Sequence, residues 1–156
     1  MRKTFILAMF LFACGGILAH EFWIAPVKFH YQLKDTLQLR LLVGEGFTGE
    51  NWGVGKEKLK RLDLISANAN ENMLDQYSPD SLQPTNMALH HEGTQVIVFN
   101  NKGSYIELEP EKFNAYLTED GLYNAIEWRK THQQDTAKGK EWYQRSVKSI
   151  IQVGSK

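Results

Sequence analysis

Thr36-Leu37-Gln38-Leu39-Arg40-Leu41 alternates leucine with polar residues, and Val43 continues the leucine side. Successive side chains of an extended chain point to opposite faces, so Leu37, Leu39, Leu41 and Val43 line one face and Gln38 and Arg40 the other. A strand with one face in a core and one in water has this pattern. Upstream, Glu21-Phe22-Trp23-Ile24-Ala25-Pro26 reads as a short edge strand stopped by proline, with His30 on the strand after it. Downstream, Gly44, Gly46, Gly49, Gly53 and Gly55 punctuate the chain so densely that an irregular loop is predicted there.

Further strands follow. Residues 59–66 carry Leu62 and Leu64 on one face, and residues 67–84, rich in Asn, Asp, Ser and Pro, read as loop. Gln95-Val96-Ile97-Val98-Phe99 reads as a buried strand, and Asn100-Asn101-Lys102-Gly103 as a hairpin turn from which residues 104–108 return. Pro110 can open a helix, whose buried face is Phe113, Tyr116 and Leu117 at helical spacing. Gly121 interrupts it, and residues 122–133 form a second helix. Residues 136–139 are linker, and residues 142–153 carry one long strand pattern. The expected fold is mainly β, a β-sandwich with a short helical insertion near residues 110–134, in a single domain over residues 20–156.

The chain has 156 residues, enough for one domain with a core and too few for two full ones. Lys plus Arg is 18 and Asp plus Glu is 18, which leaves no general electrostatic footprint for nucleic acid. Arg2 and Lys3 precede an apolar run over residues 4–18, and small Ala19 stands where a signal peptidase leaves its last residue. Residues 1–19 are therefore expected to be a cleaved signal, giving a periplasmic chain with no membrane insertion after cleavage. A rival cut before Cys14 would give an anchored lipoprotein, although bulky Phe12 suits that box poorly. Cys14 is the single cysteine, so an internal disulfide and a thiolate-rich metal site are both excluded.

Cleavage after Ala19 would make His20 the first residue. Its α-amine (unperturbed pKa ~7.7) and imidazole (~6.5) could together chelate one ion near neutral pH. Borderline divalent transition metals such as Ni, Co or Cu suit nitrogen ligands of this kind. The bland alternative is an exposed first residue. His90-His91 and His30 could each lend a further imidazole, although adjacent residues on extended chain face opposite ways and the pair could equally be solvated loop. His132, among Lys130, Gln133 and Gln134, reads as surface.

The sequence contains no HExxH, CxxC, Walker loop or GxSxG, and so gives no sign of an enzyme. Gly44-Glu45-Gly46-Phe47-Thr48-Gly49 spells GxGxxG, but no helix pattern follows it, which argues against a dinucleotide site. Trp23, Trp52, Trp128 and Trp142 could build a sugar-stacking surface, though aromatics in a small sandwich more often fill the core. Glu107, Glu109, Glu111, Glu119 and Asp120 read as a solvated acidic face.

Several stretches resemble one family: His20-Glu21-Phe22-Trp23-Ile24 with Pro26, Val43-Gly44-Glu45-Gly46-Phe47, Tyr105-Ile106-Glu107-Leu108, Lys112-Phe113-Asn114-Ala115-Tyr116-Leu117, Glu119-Asp120-Gly121-Leu122, and Trp142-Tyr143-Gln144-Arg145-Ser146-Val147-Lys148 running to Gln152-Val153-Gly154. It is an exported bacterial group of unknown function, labelled as the periplasmic component of nickel or cobalt uptake. The resemblance implies an immunoglobulin-like sandwich, export, and the handling of transition metals beside a membrane metal transporter. Of the metal-relevant positions it carries over only His20. Family members continue into a second β-rich segment beyond the point where this sequence stops.

These observations favour a periplasmic Ni/Co/Cu-binding module working by coordination, without a bond-breaking step. The competing expectation is a carbohydrate- or surface-interaction module using exposed Trp and Tyr, which requires an open aromatic platform and histidines far apart. A copper oxidase would need a second imidazole close to His20.

Overall fold

The computed structural model describes residues 21–80 and 82–155. The signal-peptide reading, the Cys14 anchor and His20 lie outside them. The alternating segment forms β3 (Thr36–Glu45), in which Leu37, Leu39 and Leu41 are buried and Gln38 and Arg40 exposed. Each fully buried leucine contributes ~1.5–3 kcal/mol of transfer free energy, which fixes the register of this strand.

Around β3 one sheet assembles. β1 (Glu21–Pro26) lies antiparallel along one side, with Glu21 opposite Gly44 and Pro26 opposite Leu39. The other side is shared: β4 (Thr48–Asn51) pairs with Leu42 to Glu45, and β7 (Thr85–Ala88) with Thr36 to Leu39. The second sheet has the order β2 (His30–Tyr31), β11 (Ser146–Val153), β8 (Gly93–Asn101), β5 (Leu59–Ile65), β6 (Asn70–Asn72). Inward-facing Leu62, Leu64, Ile97, Phe99, Ile151 and Val153 meet Ile24 and the three leucines of β3 in one core. The protein is a mainly β two-sheet sandwich with a helical insertion, as the hydrophobic patterning predicts.

The chain divides into two compact units: residues 21–106 with 140–155, which contain the sandwich, and Glu107–Gly139. In the second unit α1 (Pro110–Glu119) starts with proline at its first turn and buries Phe113 and Leu117. Gly121, at φ 68°, ends that helix in the left-handed region, and α2 (Tyr123–Thr131) follows. Arg129 of α2 is buried, donating to Asn114 Oδ1 at 3.0 Å and to the Ala137 carbonyl at 2.7 Å. Lys138 holds Glu109 at 2.8 Å and Glu107 at 3.6 Å, and these two carboxylates raise its pKa, so part of the acidic face is paired. No helix among the described residues is long and apolar enough to cross a membrane.

Four local expectations are corrected. The glycine-rich run is a hairpin: Glu45 pairs with Thr48, and Gly46 (φ 55°) and Phe47 (φ 60°) make the two-residue turn. Positive φ at both central positions is the primed turn whose twist suits flanking strands. The predicted loop over residues 67–84 includes the short edge strand β6. β9 (Ser104–Leu108) does not return along β8, because both edges of β8 are already taken by β11 and β5; it pairs with β10 (Gly139–Tyr143). The long pattern over residues 142–153 is two strands, broken at Gln144 and Arg145. Asn101 holds that break, accepting from Arg145 N–H at 2.6 Å through its side chain and from Gln144 Nε2 at 3.1 Å through its carbonyl.

Candidate functional site

The strand registers decide where the histidines lie. Glu21, which follows His20, stands where β1 begins, opposite Gly44. His30 comes after β1 has finished and pairs in register with Gln152. His90 and His91 follow Ala88, whose partner is Thr36 at the start of β3. Eight residue steps of β3 separate Thr36 from Gly44, roughly 26 Å of extended chain. His30, His90 and His91 therefore belong to the end of the sandwich opposite Glu21. The described fold does not bring them to the neighbourhood of Glu21.

His30 and His90 are exposed and His91 half-buried. The His91 carbonyl accepts from Gln95 Nε2, which fastens this segment to β8. Nearby, the Lys28 ammonium at 2.8 Å and the Gln32 N–H hold the Asp35 carboxyl below its ordinary pKa. Among the described residues no group of three His, Cys, Asp or Glu side chains is placed to hold a metal ion. His132 is exposed in the helical unit, stacked on Trp128 at 4.2 Å with Nδ1 2.8 Å from the Trp128 carbonyl.

The tryptophans divide. Trp52 packs edge-on against Phe22 at 5.2 Å and Phe99 at 5.5 Å, as the core reading expects. Trp23 is half-buried on the outer face of its sheet, beside Phe47 at 5.8 Å. Trp128 and Trp142 are 56% and 74% exposed.

Trp142 has a companion. It stands on β10 with its ring centroid 5.4 Å from that of Tyr105 on β9, the two planes inclined at 50°. Tyr105 is itself 46% exposed. Strand alternation explains the arrangement: Tyr105 and Trp142 occupy exposed positions while Ile106 and Tyr143 turn inward. A Cβ added at Gly103 would stand 3.6 Å from Trp142 Cε3, so the ring borders the connection between β8 and β9. Two large rings meeting at an angle offer π-faces, and Trp142 carries an indole N–H. A pyranose presents a C–H face flanked by hydroxyls, which is the complement of such a surface. The sequence displays the four tryptophans, but not that Tyr105 would pair with one of them.

Comparison with protein-family models, with curated proteins and with solved structures finds no match to this chain.

Proposed function

We propose that this chain is an exported, non-catalytic binding module that holds a saccharide surface on the Tyr105–Trp142 pair. The observation that carries the reading is the exposure of both rings, 46% and 74%, at a centroid separation of 5.4 Å. Binding is by stacking and hydrogen bonding, without bond cleavage. Co-sedimentation with insoluble polysaccharides (peptidoglycan sacculi, chitin, cellulose) tests it. At least one should retain the protein, and Trp142→Ala should weaken retention about tenfold, a loss of ~1.4 kcal/mol. Equal retention of the variant, or none of the native protein, would overturn it.

A second reading, capture of Ni, Co or Cu by the amine and imidazole of a processed His20, draws support from one feature. β1 begins at exposed Glu21 on the edge of its sheet, where a chain end would stand in solvent. In this reading His30, His90 and His91 do not join the ion, and a membrane metal transporter is the receiving partner. Mass spectrometry of the exported protein and calorimetric titration of native and His20→Ala protein decide it. A terminus elsewhere, or the same heat from both proteins, would remove it.

A further inference from the structure

A cleft of about 520 Å³ opens at the Glu21 end of the sandwich, lined by Val43, Gly44, Gly49, Glu50 and Arg145. That volume lies in the range of small-molecule sites, roughly 300–1,000 Å³. Its floor is a cross-strand row. Phe22 of β1 pairs with Val43 of β3, which pairs with Glu50 of β4, so the three share one face. Arg145 comes from the break between β10 and β11 and lies over the Phe22 end of this row. Its guanidinium carbon is 5.6 Å from the Phe22 ring centroid and 4.9 Å from that of Tyr143. Nη1 donates to the Tyr143 hydroxyl at 3.3 Å, and Asn101 fixes the backbone.

The guanidinium is thus held in place by two rings. Among the described residues no carboxylate lies within ion-pair distance of it, and no cation lies within that distance of Glu50. An arginine carries five donors in a planar fork suited to a carboxylate, and the Tyr143 contact uses one. Glu50 is an exposed acceptor two strands from Phe22, a backbone separation of ~10 Å. Val43 supplies an apolar floor between the two charges. Gly44 and Gly49, opposite each other, border the cleft with backbone.

We infer that this cleft binds a small zwitterion of the α-amino acid class, its carboxylate on Arg145 and its ammonium on Glu50. An α-amino acid separates its charges by ~3 Å. Hydrogen bonds of ~2.8 Å at each end bring the total span to roughly 9 Å, commensurate with the two-strand spacing. The site is separate from the Tyr105–Trp142 surface and does not depend on it.

Amide and guanidinium NMR titration of the exported chain tests this with three probes: glycine, acetate and methylammonium. Glycine at ~10 mM, tenfold above a millimolar Kd, should shift Gly44, Gly49 and Glu50 amides and Arg145 Nε–H saturably. Acetate should bind about tenfold more weakly at the same residues, and methylammonium more weakly still. Arg145→Gln should weaken glycine and acetate binding about tenfold or more. Glu50→Gln, at an exposed position, should weaken glycine comparably and leave acetate within twofold. Arg145→Lys keeps the charge without the planar fork and should fall between native and Arg145→Gln. Absence of saturable shifts, acetate binding as well as glycine, or Glu50→Gln binding glycine like the native chain would each overturn the assignment.

Discussion

Removing the hydroxyl of Tyr77 should change both the size and the pH dependence of stability. Tyr77 is buried at 8% exposure, and its hydroxyl donates to the Val54 carbonyl at 2.8 Å, with the Trp52 carbonyl at 3.3 Å. It thereby ties the end of the glycine-rich segment to the core. Burial, and secondarily the Glu57 carboxylate, pushes its phenol from the usual 10.0 up to about 12. The unfolded chain releases this proton near pH 10 while the folded chain keeps it to about pH 12. The stabilisation is complete below pH 10, declines as pH rises through that window, and is gone above it. Two pH units at ~1.36 kcal/mol each set an upper limit of ~2.7 kcal/mol, which residual water contact reduces to about 2 kcal/mol. At pH 8, Tyr77→Phe loses a hydrogen bond and should be ~1 kcal/mol less stable than native protein. By pH 12 the order should invert, with the variant more stable by about 1 kcal/mol. Urea unfolding of both proteins from pH 8 to 12 measures the difference, in which titrations common to both cancel. A stability gap that stays constant across this range would refute the burial argument.

Gly49→Ala places a methyl against the Val43 carbonyl oxygen and 2.7 Å from Trp23 Cη2. It should lower stability by ~1–3 kcal/mol in urea unfolding, whereas Gly53→Ala, whose nearest neighbour is 3.5 Å away, should stay within ~0.5 kcal/mol. Phe99→Ala empties a fully buried position beside Phe22 and Trp52 and should cost ~3–5 kcal/mol, read as a lower thermal midpoint. Arg129→Gln breaks the bonds to Asn114 and Ala137 and should cost ~2–3 kcal/mol, seen as faster amide hydrogen exchange within Glu107–Gly139. Unchanged exchange there would show that this buried arginine does not hold the helical unit together.

Sequence periodicity alone determined β3, β5 and β8, because Leu37, Leu39 and Leu41, Leu62 and Leu64, and Ile97 and Phe99 each declare one buried face. Pro110 and Gly121 marked the ends of α1 through backbone preferences local to those residues. Pairing partners are a different kind of information. Whether β9 returns along β8 depends on whether the edges of β8 are free, which β5 and β11 decide from distant parts of the chain. Likewise, the glycine run folds as a hairpin because Gly44 and Gly49 meet across two strands at a distance only a hydrogen side chain permits. The candidate sites follow the same division. The residue types were visible in order, but three-dimensional assembly placed Tyr105 beside Trp142 and Arg145 over Phe22, and carried His30, His90 and His91 to the end remote from Glu21. Side-chain periodicity is a local property of the backbone, whereas proximity between sites follows from competition among strand edges, which no short stretch of sequence contains.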